Sequence, residues 1–137
     1  MLHITAILAM IVVGIAGHAG AAEIVPPATT LNPASDSQAK RGCDLALKHE
    51  FTQAYAALQP IVDTSATDMT ARACYAIAMS GMGLHEQARQ EMSIVLSWKP
   101  SLVEGYVVRA VSAAEMGAAR QAQHDLEIAR QLDPQAK

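Results

Sequence analysis

Residues 83–134 read GLHEQARQEMSIVLSWKPSLVEGYVVRAVSAAEMGAARQAQHDLEIARQLDP. Within this stretch three residue types recur at a spacing of 34: Gly83 and Gly117, Ala88 and Ala122, Pro100 and Pro134. Glycine accepts the left-handed backbone that ends many helices, whereas proline cannot continue a helix. The spacing therefore predicts a helix-turn-helix unit that occurs twice, with a glycine in its turn and a proline after its second helix.

The period extends toward the N-terminus, where Ala54 precedes Ala88 by the same interval. Further sets keep this spacing: Gly42, Ala76 and Ala110; Leu58, Met92 and Leu126; Ile61, Val95 and Ala129. Small residues at such positions allow the two helices of a hairpin to approach closely. Apolar residues make up 51% of the chain and aromatic residues only 4%, with no strand-like alternation, so we expect an all-α protein.

The recurring positions resemble the tetratricopeptide repeat family, whose repeating unit has this same period. The last unit carries the resemblance most clearly, through Tyr106, Ala110, Gly117, Ala122, Leu126, Ala129 and Leu132-Asp133-Pro134. The resemblance divides the chain into units at 35–68, 69–102 and 103–136. It implies stacked helix-turn-helix hairpins in a short right-handed superhelix, a fold that binds other proteins on its concave surface.

Some residues depart from the family pattern. Arg41 and Arg109 stand where leucine is usual, and the first unit lacks the terminal proline. Pro60 instead falls within the second helix of that unit and predicts a kinked or shortened helix there. The expected helices are 37–48, 52–62, 69–82, 85–98, 102–116 and 119–132.

The N-terminal segment has the character of an export signal. The segment 1–22 contains no Asp, Glu, Lys or Arg, and positions 4–15 form an apolar run that is short for a membrane span. Small residues follow it, which predicts a signal peptide at 1–22 that is cleaved near Ala21 or Ala22. We therefore expect an exported, periplasmic protein with no membrane span after cleavage; an uncleaved anchor is the alternative. Residues 23–34, with three prolines, predict a flexible spacer.

The first helix of each unit projects small and apolar residues onto the concave face. The predicted peptide-binding groove comprises Cys43, Leu47, Ala73, Ile77, Ser80, Val107, Val108, Val111 and Ala114. Such a lining suits an extended or helical peptide that offers apolar side chains. The alternative is that some of these residues pack beneath the neighbouring unit.

The two cysteines, Cys43 and Cys74, take neighbouring groove positions on the first helices of units one and two. In an oxidising compartment such a pair usually forms a disulfide. Closing a loop of about 30 residues would stabilise the fold by roughly 3–4 kcal/mol in the chain-entropy model. Two buried free thiols and a redox-active pair remain as alternatives, although no C-x-x-C motif supports the latter.

The other polar residues do not form a reactive cluster in the sequence. His49, His85 and His124 fall in turns or on outer faces of different units, so we expect no metal site. Ser80 and Ser112 lack the histidine and carboxylate of a hydrolase triad. Four carboxylates are expected to be solvated charges on outer helical faces: Glu86, Glu91, Asp125 and Glu127.

Net charge and patterning restrict the classes of function. The formal charge is −3 and no basic stripe is present, so nucleic acid is not an expected partner. We expect no enzyme and no cofactor. The resemblance implies a scaffold or adaptor that binds a protein or peptide segment, in a bacterial envelope, secretion or pilus system. A small holdase chaperone for a secreted substrate and a thiol-redox accessory protein are the alternatives, and a homo-oligomer is compatible with each.

Overall fold

The computed structural model describes residues 33–135, and these residues form six α-helices and no strand. The helices are α1 (Pro33–Leu47), α2 (Phe51–Thr64), α3 (Met69–Gly81), α4 (His85–Trp98), α5 (Val103–Glu115) and α6 (Ala119–Leu132). The all-α prediction is confirmed. The predicted signal peptide at 1–22 and the spacer residues 23–32 lie outside the described residues.

The helix bounds follow the repeat closely. The bounds of α4 and α6 are those predicted, α3 ends one residue before its predicted end, and α5 is one residue shorter than predicted at each end. Helix α1 begins at Pro33, four residues before the expected start, so residues 33 and 34 are helical and do not belong to a spacer. Proline is favoured at the first position of a helix because the N–H that it lacks would have no partner there.

The helices pair as hairpins, α1 with α2, α3 with α4 and α5 with α6. The second helix of one hairpin contacts the first helix of the next, since α2 packs on α3 and α4 packs on α5. The first helices are also neighbours, because α1 contacts α3 and α3 contacts α5. This arrangement places α1, α3 and α5 side by side on one face of the array, as expected for stacked repeats.

All three hairpin turns have the same hydrogen-bonded geometry. A backbone N–H just after the first helix donates to a carbonyl five residues earlier: Glu50 to Leu45 at 2.9 Å, Leu84 to Met79 at 2.9 Å, and Ala118 to Ala113 at 2.8 Å. This is the Schellman arrangement, which satisfies carbonyls that the helix end leaves unpaired. It needs one residue with a left-handed backbone.

That left-handed residue is a glycine in two turns and a histidine in the third. Gly83 has φ 80° and Gly117 has φ 77°, which confirms the predicted role of the two glycines. In the first turn His49 takes the position, with φ 63°. His49 lies one repeat period before Gly83, so the repeat includes the first turn although its glycine is replaced.

Pro60 does not shorten α2, contrary to one alternative of the prediction. Helix α2 runs through Pro60 to Thr64 and has 14 residues, the same length as α4 and α6. The missing N–H of Pro60 leaves the carbonyl of Ala56 without its helical donor. Both residues are exposed, so water can take the place of that donor.

The core follows the repeat until the last helix. Ala54, Leu58, Ala88 and Met92 are all at most 1% exposed, but Leu126, which is equivalent to Leu58 and Met92, is 43% exposed. Two other series of equivalent positions are buried in all three hairpins. They are Ala54, Ala88 and Ala122, and Ile61, Val95 and Ala129. The Met92 sulfur lies against Gly105 at the start of α5. Among the described residues no helix follows α6, and Leu126 therefore lacks such a cover.

Candidate functional site

A cavity of about 450 Å³ opens on the face that carries the first helices. Its walls come from the end of α1, the start of α2, the end of α3 and the middle of α5. The lining residues are Ala46, Leu47, His49, Phe51, Ile77, Ser80, Gly81, Val107, Val108 and Val111. We call this cavity the groove pocket. Its lining contains no Asp, Glu, Lys or Arg.

The structure brings together six of the nine residues predicted for the groove. The six in the pocket lining are Leu47, Ile77, Ser80, Val107, Val108 and Val111. Cys43 and Ala73 lie about one helical turn before this region on α1 and α3, and Ala114 follows it on α5. Ala73 packs against the core cluster that contains Met92, so it faces the interior of the second hairpin at least in part.

Four lining residues did not enter the predicted groove: Ala46, His49, Phe51 and Gly81. They surround the first turn and the end of α3 that lies opposite it. A signal for His49 is present in the sequence, because it falls one repeat period before Gly83. Phe51 gives no comparable signal, because the repeat has His85 and Ala119 at its equivalent positions.

Phe51 closes one end of the groove pocket. A Cβ atom placed on Gly81 would lie 2.3 Å from the Phe51 ring, so the ring rests directly on the glycine backbone. The imidazole of His49 meets the same ring edge-on, with the ring centres 5.4 Å apart and the planes at 88°. This edge-to-face geometry is favourable between aromatic rings.

One polar group of the lining is a serine hydroxyl on the middle helix. Ser112 Oγ donates to Ser80 Oγ at 3.2 Å, and this bond joins α5 to α3. Ser112 is completely buried, so the contact also satisfies a hydroxyl that would otherwise be unpaired in the interior. The other side chains of the lining are hydrocarbon, apart from the His49 imidazole.

A disulfide ties the first two hairpins together near the groove. Cys43 on α1 and Cys74 on α3 are bonded, with their Cα atoms 5.1 Å apart. Each cysteine lies three residues before a lining residue, Ala46 on α1 and Ile77 on α3. The disulfide therefore fixes the spacing of two neighbouring helices that both line the pocket.

A buried ion pair joins the helices of the third hairpin. Asp125 is completely buried, which corrects the expectation that it is a solvated charge on the outer face. Arg109 Nε and Nη2 donate to its two carboxylate oxygens at 2.8 and 2.6 Å. These hydrogen bonds raise the pKa of Arg109 above its ordinary value, despite the opposing effect of burial. The Arg109 guanidinium also lies 5.4 Å from the centre of the Tyr106 ring.

Of the other three carboxylates, one is partly buried and two lie on the surface. Glu91 accepts from Arg72 Nη1 across the second hairpin and is only 23% exposed, so it is also not a fully solvated charge. Glu86 and Glu127 are 43% and 52% exposed and pair within their own helices, as expected for surface charges. Hydrogen bonds from Arg89 and Gln90 lower the pKa of Glu86.

A pair of tyrosines supports the contact between the first two hairpins. Tyr55 of α2 and Tyr75 of α3 stack with ring centres 4.9 Å apart. Burial raises the pKa of Tyr75, and the neighbouring Tyr55 hydroxyl adds to this effect. Tyr75 is therefore neutral at any physiological pH and acts in packing.

Residues 33–135 contain no cluster of histidine, cysteine and carboxylate side chains that would hold a metal ion. Over the same range, no helix combines the length and apolar character that crossing a bilayer requires. His49 lines the groove pocket, whereas His85 begins α4 and His124 lies on the exposed side of α6.

Comparison with known proteins supports the fold. No protein-family model matches the sequence, and no curated protein matches it. Among solved structures, "MamA MSR-1 C2" superposes with a TM-score of 0.66 over 75% of this chain, at 17% identity. The aligned part is 59% of the MamA chain, so this chain spans less than two thirds of that structure. MamA contains tetratricopeptide repeats. The chain accordingly has a tetratricopeptide-like fold of three stacked helical hairpins.

Proposed function

We propose that this protein is an exported scaffold or adaptor that binds a segment of another protein in the groove pocket. The observation that carries the proposal is an open, uncharged cavity of about 450 Å³ on the face where α1, α3 and α5 meet. Helical repeats of this architecture commonly bind partners on the surface formed by their first helices. The function is binding rather than catalysis.

The apolar lining indicates how the partner is held. Leu47, Val107 and Val111 are 69%, 40% and 48% exposed, which leaves three large apolar side chains uncovered around one cavity. Covering such side chains removes apolar surface from water and favours association. The hairpins are preformed, so the ordering cost falls mainly on the bound segment. An extended or helical segment with apolar side chains meets these requirements.

Export rests on the sequence of residues 1–22, which have the composition of a signal peptide. The disulfide is consistent with this proposal, because such bonds form and persist in oxidising compartments. A bacterial periplasm is the proposed location. The proposed partner is another envelope, secretion or pilus protein.

The proposal is tested by comparing an arginine substitution in the groove pocket with an arginine substitution outside it. Val111→Arg puts a cation into the pocket lining, whereas Leu126→Arg changes an apolar residue of similar exposure, 43% against 48%, on α6. We expect Val111→Arg to lose a partner that co-purifies from native envelopes with the wild type and with Leu126→Arg. Far-UV circular dichroism checks that both variants remain helical. Equal recovery of the partner with folded Val111→Arg would refute the groove assignment.

A further inference from the structure

His49 has a backbone conformation that its turn does not require of a histidine. The same turn occurs at Gly83 and Gly117 with the same hydrogen bonds, and glycine adopts a positive φ without the clash that a side chain causes. Non-glycine residues in this region carry a conformational cost and concentrate at functional sites. A functional role of the His49 side chain would explain why a histidine, and not a glycine, occupies this position.

The side chain of His49 contributes to one wall of the groove pocket. Its ring packs edge-on against Phe51, and Phe51 rests on Gly81. All three residues line the cavity. A side chain at position 81 would displace the Phe51 ring, because its Cβ would lie 2.3 Å from that ring. Two unusual residues, a histidine with positive φ and a glycine at the end of α3, thus contact the Phe51 ring and determine its position.

The repeat shows that this wall is specific to the first pair of hairpins. One period later the equivalent residues are Gly83, His85 and Glu115. In that set glycine replaces His49, the smaller imidazole of His85 replaces the Phe51 ring, and the long charged side chain of Glu115 stands where Gly81 leaves space. The aromatic wall is therefore not a general requirement of the hairpin stack.

The chemistry of the lining defines the occupant. The lining has no formal charge, and a charged group that entered it would lose its hydration without gaining a counter-ion. A volume of about 450 Å³ lies within the range of small-molecule sites. It is large enough for one or two bulky side chains. An aromatic occupant would also gain a stacked or edge-to-face contact with Phe51.

We propose that His49, Phe51 and Gly81 form an aromatic wall that selects a bulky, uncharged side chain of the bound segment, with aromatic residues preferred over leucine. His49 is a specificity-determining residue in this assignment, because it holds the Phe51 ring at the end of the pocket. The inference rests on the proposed function and specifies the chemistry of its ligand.

The probes are single amino-acid amides, namely the N-acetyl amides of phenylalanine, leucine and aspartate. They are titrated against the full chain, and binding is read from the methyl NMR signals of Ile77, Val107 and Val111. We expect saturable shifts with phenylalanine amide, weaker binding of leucine amide, and none with aspartate amide. No specific shift with phenylalanine amide, or equal affinity for leucine and phenylalanine amides, would overturn the inference.

Two substitutions remove the imidazole while keeping the turn. His49→Gly and His49→Asn both place a residue that tolerates positive φ at this position. We expect each to bind phenylalanine amide about two- to tenfold more weakly, the range for loss of one aromatic contact. The preference over leucine amide should fall with it. His124→Ala, on the exposed side of α6, is the matched control and should bind as the wild type does.

Gly81→Ala tests the wall from the opposite side, because the added methyl group displaces Phe51. We expect the same loss of phenylalanine preference. Unchanged preference in all three wall variants would overturn the role of the wall. Partner capture by the wild type and its loss in Val111→Arg decide the proposed function separately, so each idea can fail without the other.

Discussion

The first and third hairpins have turns with the same hydrogen-bonded geometry but are stabilised by different means. The third hairpin follows the repeat, with Gly117 in its turn, and a buried pair between Arg109 and Asp125 joins its helices. The first hairpin has His49 in the turn and Pro60 within α2, and a disulfide ties it to the second hairpin. The repeat pattern thus determines where the chain turns. The aromatic side chains of the groove pocket, His49 and Phe51, lie where that pattern is broken.

The contrast has a physical origin. A Schellman turn constrains one backbone angle, so any residue that tolerates a positive φ preserves the hairpin. The side chain at that position is then free to serve another purpose. In the third hairpin the glycine leaves nothing there, whereas in the first the imidazole contacts Phe51. Substitutions in the two hairpins separate these two kinds of stabilisation.

The largest expected effect is at the buried ion pair. Arg109→Leu introduces the residue usual in the family, yet it leaves the Asp125 carboxylate completely buried without a cation. We expect the free energy of unfolding to fall by about 3–5 kcal/mol, as measured by urea denaturation. Arg109→Leu combined with Asp125→Leu should recover most of the loss, since an apolar pair removes the unpaired charge. If Arg109→Leu alone were as stable as the wild type, the Arg109–Asp125 pair would not stabilise the third hairpin.

The same pair predicts a flat pH dependence in the neutral range. The pKa of Arg109 is raised by its hydrogen bonds to Asp125. A basic group with a raised pKa stabilises the fold at every pH below its ordinary value, and the contribution is lost only as pH rises through the folded-state value. The difference in unfolding free energy between the wild type and the double variant Arg109→Leu with Asp125→Leu, which contains neither charge of the pair, should therefore stay constant from about pH 6 to pH 9. A steep slope in that range would point to another titrating group.

Removal of the disulfide should lower the free energy of unfolding by a similar but slightly smaller amount. The loss comes from weaker attachment of the first hairpin to the second. Cys43 and Cys74 are 31 residues apart in sequence, and closing such a loop stabilises the fold by roughly 3–4 kcal/mol in the chain-entropy model. We expect Cys43→Ser with Cys74→Ser to lower the melting temperature while the protein remains helical and able to bind its partner. Loss of electron exchange with a dithiol, at unchanged melting temperature, would instead support the redox alternative.

A smaller effect measures strain in the first turn. His49→Gly should be more stable than His49→Ala by about 1 kcal/mol, because neither carries the imidazole and only alanine has a Cβ in the left-handed region. Gly83→Ala should cost a similar amount relative to wild type and serves as the control. Chemical denaturation resolves differences of this size. Equal stability of the alanine and glycine variants at position 49 would show that the turn there is not strained.

The smallest effect is expected at the exposed pair of α6. Glu127 and Arg130 are 52% and 69% exposed, and such pairs contribute little because water and salt screen them. Arg130→Ala should change the free energy of unfolding by less than about 0.5 kcal/mol. This variant is the surface counterpart of Arg109→Leu. A loss as large as that of Arg109→Leu would remove the distinction between buried and exposed pairs on which the comparison depends.

Most of the fold was predictable because its signals are local. Gly83 and Gly117 determine where two helices end, and the repeat spacing determines the rest. Position 49 belongs to the same series, but it carries a histidine, so the glycine pattern does not identify the first turn. Leu126 follows the apolar period and yet is exposed, since the period does not show whether another helix covers it.

The site was only partly predictable because its remaining features depend on contacts between distant residues. Projection of the first helices placed Ile77, Val107 and Val111 on one face. The contact of Phe51 with Gly81 joins two different hairpins, and no local pattern indicates it. The sequence predicts Asp125 on the outer face because it does not show that Arg109 reaches across the hairpin and pairs with this carboxylate.

Photo-crosslinking in native cells from position 111, with a probe at position 127 as the control, tests most directly whether the groove pocket binds another protein. Position 111 lines the groove pocket, and Glu127 lies on the exposed side of α6. We expect that one discrete protein is crosslinked from position 111 only, and that Ile77→Arg in the same chain abolishes the adduct. If a folded, exported protein gives the same adducts from both positions, or an adduct at 111 that persists in Ile77→Arg, the groove is not the binding site.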